Sequence, residues 1–160
     1  MSSRPFKTAK KLHRLKTPGE SNRVFLRKLL NRYYIDLFVW SFPQEISGVL
    51  ILDRRMPNPV IGLNRFHSDE RKLFTAAHEL GHFFLRHGEA FCSNLQDQNQ
   101  YEREANMFAA ELLMPREQII NKADQPIDEL ARKYEVSQSA MHYRLLSLRP
   151  DSNRRRGSGR

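Results

Sequence analysis

The run His78-Glu79-Leu80-Gly81-His82 restricts what this chain can become more than any other five residues in it. Residues four apart on a helix stand one above the other, with Cβ atoms about 5–6 Å apart. Imidazoles at 78 and 82 therefore face one point and can share a tetrahedral metal ion. Glu79 is turned about 100° around the same helix, which places a carboxylate beside that ion, where it can take a proton from water. H-E-x-x-H on a helix is the pattern of zinc-dependent peptide hydrolysis. Any fold adopted here must then supply an unbroken helix through 78–82 and a third ligand from elsewhere.

The flanks supply the helix. Ser68 is a good N-cap, Asp69 and Glu70 fill the positively polarised first turn, and Gly88 stands where a terminating glycine belongs. Between them Leu73, Phe74, Ala77, Leu80, Phe84 and Leu85 recur at helical spacing with no proline. Gly81 costs about 1 kcal/mol relative to alanine in mid-helix, which a close approach by another helix would explain. A second helix over 101–114 offers carboxylates, and Glu102, Ala105, Asn106, Ala109 and Leu112 share one face of it. Its two alanines suit close packing against Gly81. Asn106, one turn from Glu102, is placed to hold a ligand histidine by its second ring nitrogen. These positions favour Glu102 as the third ligand, and Glu104, on a different face with Phe108 and Glu111, is the alternative.

Phe74-Thr75-Ala76-Ala77-His78-Glu79-Leu80-Gly81-His82, followed by Glu102-Arg103-Glu104-Ala105-Asn106-Met107-Phe108-Ala109-Ala110-Glu111-Leu112-Leu113-Met114-Pro115, resembles the ImmA/IrrE family of metallo-endopeptidases over roughly residues 21–148. The Glu-x-x-x-Asn arrangement is also similar to the third-ligand helix of thermolysin-like gluzincins, a further reason to choose Glu102. The resemblance implies a zinc endopeptidase that cleaves a repressor protein in phage, mobile-element or stress-response circuits. In it His78, His82 and Glu102 would hold Zn2+, and Glu79 would be the general base. The spacing identifies no transition-state donor; His87 and Tyr101 are near in sequence only.

Ahead of the motif, a helix capped by Ser21 and running to about Tyr34 is followed by apolar strands over 35–42, 48–52 and 59–64, with a hairpin connection at 53–58. Helix, three-stranded meander, then active-site helix pair predicts an α+β, zincin-like domain. An exposed edge strand beside the metal would suit a protease, because such enzymes often bind substrate as an added strand. Residues 88–100 are polar and read as a loop rimming the cleft. The expected organisation is a basic disordered arm over 1–20, a metallopeptidase domain over 21–123, helix-turn-helix-like helices over 124–149 and a disordered basic tail over 150–160. Every expected ligand precedes Pro115, so the C-terminal helices read as dispensable for the metal site.

Charge is unevenly placed. Residues 1–36 carry ten Lys/Arg against two Asp/Glu, 37–115 seven against ten, and 116–160 ten against six. A mildly acidic core thus lies between basic flanks that can contact nucleic-acid phosphates. No apolar run approaches the ~20 residues of a membrane span, so no membrane partner is expected. A single cysteine, Cys92, leaves no intramolecular disulfide and suits a cytoplasmic protein; it is also a conceivable ligand between the two motif helices.

Near the C-terminus, 126–134 reads as a short helix and 138–148 as a second, capped by Ser137. Ala131, Val136, Ala140 and Leu145 take the small and apolar positions of a helix-turn-helix. Gln138, Ser139, His142 and Tyr143 would then face outward toward bases or phosphates. Glu135 occupies the turn position where glycine is usual, which implies strain or another turn geometry. Two functions other than proteolysis are compatible with these features: a DNA-binding regulator with a structural metal, and an interaction module that binds a repressor without cutting it. The intact Glu79 speaks against a purely structural metal, which needs no base beside it.

Overall fold

The computed structural model of the chain describes residues 3–88, 90–93 and 99–148. Two helices, α1 (Arg4–His13) and α2 (Asn22–Arg32), lead into the strands β1 (Asp36–Trp40), β2 (Gly48–Ile51) and β3 (Val60–Asn64). The long helix α3 (Asp69–Leu85), strand β4 (Ala90–Ser93) and helix α4 (Gln100–Leu113) follow, then α5 (Arg116–Ile120), α6 (Ile127–Tyr134) and α7 (Gln138–Leu148). The α+β class and the helix pair are as expected. Among the described residues no helix is long and apolar enough to cross a membrane. The basic tail expected over 150–160 lies outside the described residues.

Four expectations are corrected. The sheet has four strands, not three, in the order β1-β3-β2-β4. The fourth, β4, falls in the segment 88–100 that reads as a polar loop, because four residues carry too little alternation to register as a strand. The strands are also not a meander. β2 and β3 form the expected antiparallel hairpin, but β1 pairs in parallel with β3, Asp36 opposite Val60 through Trp40 opposite Asn64. Buried Asn64 accounts for part of this: its Nδ2 donates to the carbonyls of Phe42, Pro43 and Ile46 at 3.3, 3.0 and 2.8 Å. These bonds pin the β1–β2 connection to the end of β3 and leave β1 on the outside.

The third correction concerns residues 1–20, which are not an unstructured arm. Residues 4–13 form α1, whose Ala9 and Leu12 are buried in the main core, and His13 donates from Nδ1 to the Leu112 carbonyl at 3.0 Å. Only three apolar side chains on one stripe of a strongly basic segment carry this packing, too few to stand out against the charge.

The sheet positions α3, and α3 positions the motif. Ser68 caps α3 by accepting from the Arg71 amide, as its sequence position predicts. α3 then runs under β2 and β3 on one side and along α4 on the other. The stop is different from expectation: Arg86, not Gly88, takes the left-handed conformation (φ 57°), and its amide bonds the carbonyls of His82 and Phe83. The chain therefore folds back under the last turn two residues early. At the α3–α4 crossing the expected glycine contact is present. A Cβ on Gly81 would stand 3.1 Å from Ala105 Cα and 3.2 Å from the Ala105 carbonyl oxygen.

These are backbone atoms, which move only with the whole of α4. Gly81→Val is accordingly expected to destabilise the fold by about 1–3 kcal/mol as an overpacked core does, although it relieves the helix cost of glycine. It should also weaken metal binding, because α4 carries Glu102. Thermal unfolding with a metal titration checks this, and an unchanged melting temperature and affinity would refute the close-packing account.

The C-terminal helices share this core. Leu130, Ala131, Tyr134, Val136, Met141 and Leu148 belong to the same buried cluster as the α3 and α4 side chains. Asn22 Nδ2 donates at once to the Leu113 and Tyr134 carbonyls, at 2.9 and 2.6 Å, tying α2, α4 and α6 together. Glu135 is indeed left-handed (φ 55°), and its carboxylate accepts from the Arg23 amide at 2.9 Å. A non-glycine turn is thus held by a contact to α2.

Candidate metal centre

His78 and His82 are one turn apart on α3 and Glu102 lies in the first turn of α4, and all three are buried. His78 Nε2 and His82 Nε2 are 3.0 Å apart. One Glu102 oxygen is 3.0 Å from His78 Nε2, and the other is 3.1 Å from His82 Nε2. Among the described residues this is the group of histidine and acidic side chains that could hold a metal ion. Burial raises the pKa of the Glu102 carboxyl, but the two imidazoles beside it lower it by more, and the group is held at about 2. Glu102 is an anion at any ordinary pH.

The outer nitrogens decide whether the donors fit a cation. His78 Nδ1 lies 2.9 Å from Asn106 Oδ1, an acceptor, so this nitrogen carries the proton and Nε2 presents a lone pair inward. His82 Nδ1 lies 3.0 Å from His87 Nδ1. The His78 lone pair, the Nε2 of His82 and the Glu102 carboxylate converge on one buried point, a donor set that suits a cation. Bonds of about 2.0–2.1 Å to a tetrahedral zinc separate neighbouring ligand atoms by about 3.3 Å, close to what is found here. The residues present fit a divalent metal, with Asn106 holding His78 as its position predicts.

Glu104, the alternative ligand, points elsewhere. Its Oε2 is 3.1 Å from His87 Nε2, and its Oε1 accepts from Gln100 Nε2 at 3.1 Å. The Gln100 contact first, then His87, lowers its pKa. His87 is buried, and burial, ahead of the opposing pull of Glu104, lowers the imidazole pKa. His87 meets His82 at the ring nitrogen that does not face Glu102, and its other nitrogen lies at Glu104. Tyr101 lies against the His87 ring, 4.9 Å between centroids. The link between His82 and His87 was not visible in the sequence, because a five-residue spacing is off the helical face. Only the left-handed Arg86 brings the two rings together.

Glu79 is fully buried on the side of α3 that faces β2. Its Oε1 is 3.1 Å from where a Cβ on Gly48 would stand, and Thr75 Cγ2 is 2.5 Å from the same point. A glycine at the start of β2 is what lets α3 carry a carboxylate this close beneath the strand. Gly48 pairs with Ser93 of β4, the sheet edge next to it. Cys92 lies on β4 opposite Val49, and only its backbone register is described. On the other flank, a groove of about 1110 Å³ opens between α3, α4 and α7 and is lined by Phe74, Asn106, Met107, Ala110 and Tyr143 among others.

The model of the IrrE N-terminal-like domain, the Peptidase_M78 family, matches residues 30–146. A protein of Bacillus phage phi105 described as "Uncharacterized immunity region protein 2" is 35% identical over 86 residues, covering 51% of this chain and 52% of that protein. The chain thus spans about half the length of the curated relative it matches. A solved structure of a Mycobacterium tuberculosis transcriptional regulator superposes with a TM-score of 0.63 at 18% identity, over 92% of this chain and 48% of that one. At that identity the likeness is one of fold.

Proposed function

The chain belongs to the Peptidase_M78 family, and from that premise we propose that it is a zinc-dependent endopeptidase whose substrate is a transcriptional repressor. The observation that carries this is the buried convergence of His78, His82 and Glu102 with a non-ligand carboxylate, Glu79, one residue along the same helix. The substrate class rests on the phage relative, whose name places it in an immunity region. The setting would be cytoplasmic, where a repressor acts.

His78, His82 and Glu102 would hold the zinc. When bound, the ion supplies Lewis acidity toward a scissile carbonyl and makes water a better nucleophile near neutral pH. Glu79 accepts the proton of the attacking water on a carboxylate oxygen and delivers it to the leaving amine, as a positioned general acid–base does. Asn106 keeps His78 in the tautomer that presents Nε2. Among the described residues β4 is an edge strand, paired with β2, whose Gly48 lies over Glu79, and a substrate segment would add there as a further strand.

Incubation of the purified protein with the repressor encoded beside its gene tests the proposal. About one zinc per chain, cleavage silenced by a chelator and restored by zinc, and loss of both metal and cleavage in Glu102→Gln are expected. A zinc-loaded protein that leaves every such repressor intact would refute it. A second reading, contact with DNA, has one specific observation in its favour. Gln138, Ser139, His142 and Tyr143 are all exposed on α7, as a recognition helix would present them.

A further inference from the structure

We propose that His87 is a positioning residue of the metal centre: held by Glu104 at one ring nitrogen, it accepts a hydrogen bond from His82 at the other and so fixes the tautomer and tilt of that ligand. The inference rests on the metal-site reading above and goes beyond it, because His87 touches neither metal nor substrate.

The geometry leaves one consistent proton arrangement. A ligand at His82 Nε2 requires the proton on His82 Nδ1. That proton points at His87 Nδ1, 3.0 Å away, which must then be the lone-pair nitrogen. Neutral His87 consequently carries its proton on Nε2, and that nitrogen faces Glu104 Oε2 at 3.1 Å. Glu104 is itself anchored by Gln100 one turn earlier on α4. The row Glu104, His87, His82 runs from a carboxylate at the protein surface to a buried ligand, and every link has a donor facing an acceptor.

The two ligand histidines are therefore supported differently. His78 has a direct amide partner in Asn106, on the helix that also carries Glu102. His82 has an intervening imidazole that belongs to the turn after α3. That turn is set by Arg86, whose left-handed backbone sends the chain back under the helix. A ligand imidazole usually donates to a carboxylate, a carbonyl or water. Inserting a second imidazole lets Glu104 act on His82 through one more ring without competing with Glu102 for the metal.

Three variants of the zinc-loaded full chain test this, read by zinc affinity in chelator competition and by the visible spectrum of the cobalt-substituted protein. His87→Phe keeps an aromatic ring against Tyr101 but removes both nitrogens, and affinity should fall about 10–100-fold, the usual cost of losing an outer partner. The cobalt spectrum should shift with it. His87→Asn offers a carbonyl oxygen near the Nδ1 position and should recover most of both signals, which a merely structural role would not predict. Glu104→Leu, at a partly exposed position, should give a smaller loss of the same kind. Wild type that holds one zinc while His87→Phe matches its affinity and spectrum would overturn the proposal. So would an asparagine variant no better than phenylalanine, or a Glu104→Leu loss as complete as that of Glu102→Gln. Wild type without stoichiometric zinc would instead overturn the underlying metal-site reading.

Discussion

Glu79→Gln is expected to lose about 10²–10⁴-fold in cleavage rate while keeping its fold, its zinc and its hold on the protein substrate. The separation follows from where the side chain lies. Glu79 is outside the triangle of His78, His82 and Glu102, so the amide removes no ligand. Glutamine has the same shape, so it still fits beneath Gly48, where the Glu79 oxygen lies now. What it lacks is a basic carboxylate to accept the proton of water. The variant should therefore retain the repressor uncut in pull-downs, and zinc content per chain should equal that of wild type. Full cleavage by Glu79→Gln would remove this residue from the chemistry. Full regulatory activity in cells without cleavage would instead favour an interaction module over a protease.

How much of this was legible in the sequence varies with the range of the interaction. The motif helix, its Ser68 cap and the Gly81–Ala105 approach could be read because helical spacing and capping act over a few residues. Asn106 beside His78 was legible for the same reason, one turn from Glu102 on a common face. That shared face also favoured Glu102 over Glu104; what the sequence did not show is the contact of Glu104 with His87, which follows the left-handed Arg86. Strand partners were the least legible feature. Alternation along β1 gives no information on whether β2 or β3 lies beside it, and here a single buried side chain, Asn64, ties the β1–β2 connection to the end of β3. Glu135 shows the converse: an unusual residue at a turn was visible in the sequence, but the Arg23 contact that sustains it was not.

Deletion of residues 124–160 is expected to abolish the folded, metal-binding state, the opposite of what the positions of the ligands along the chain suggest. Every candidate ligand precedes Pro115, yet α4, which carries Glu102, is held from its far end by α6 and α7. Arg144 pairs with buried Glu111 and donates from Nε to the Met114 carbonyl at 2.9 Å. Removing the guanidinium leaves a buried carboxylate without its partner, which costs about 3–5 kcal/mol. Losing Leu130, Tyr134, Val136, Met141 and Leu148 exposes the apolar surface they cover, and each such side chain contributes about 1.5–3 kcal/mol. Together these come to about 10–20 kcal/mol, as large as the roughly 5–15 kcal/mol that holds a domain of this kind folded. Circular dichroism, solubility and zinc content of the truncated chain read the outcome, and Arg144→Ala in the full chain isolates the ion pair, with a loss of about 3–5 kcal/mol. A soluble, zinc-loaded truncation would show that α6 and α7 are an independent unit, free to serve DNA or substrate docking alone. On the packing described, α6 and α7 share one buried core with α4, the helix that carries Glu102.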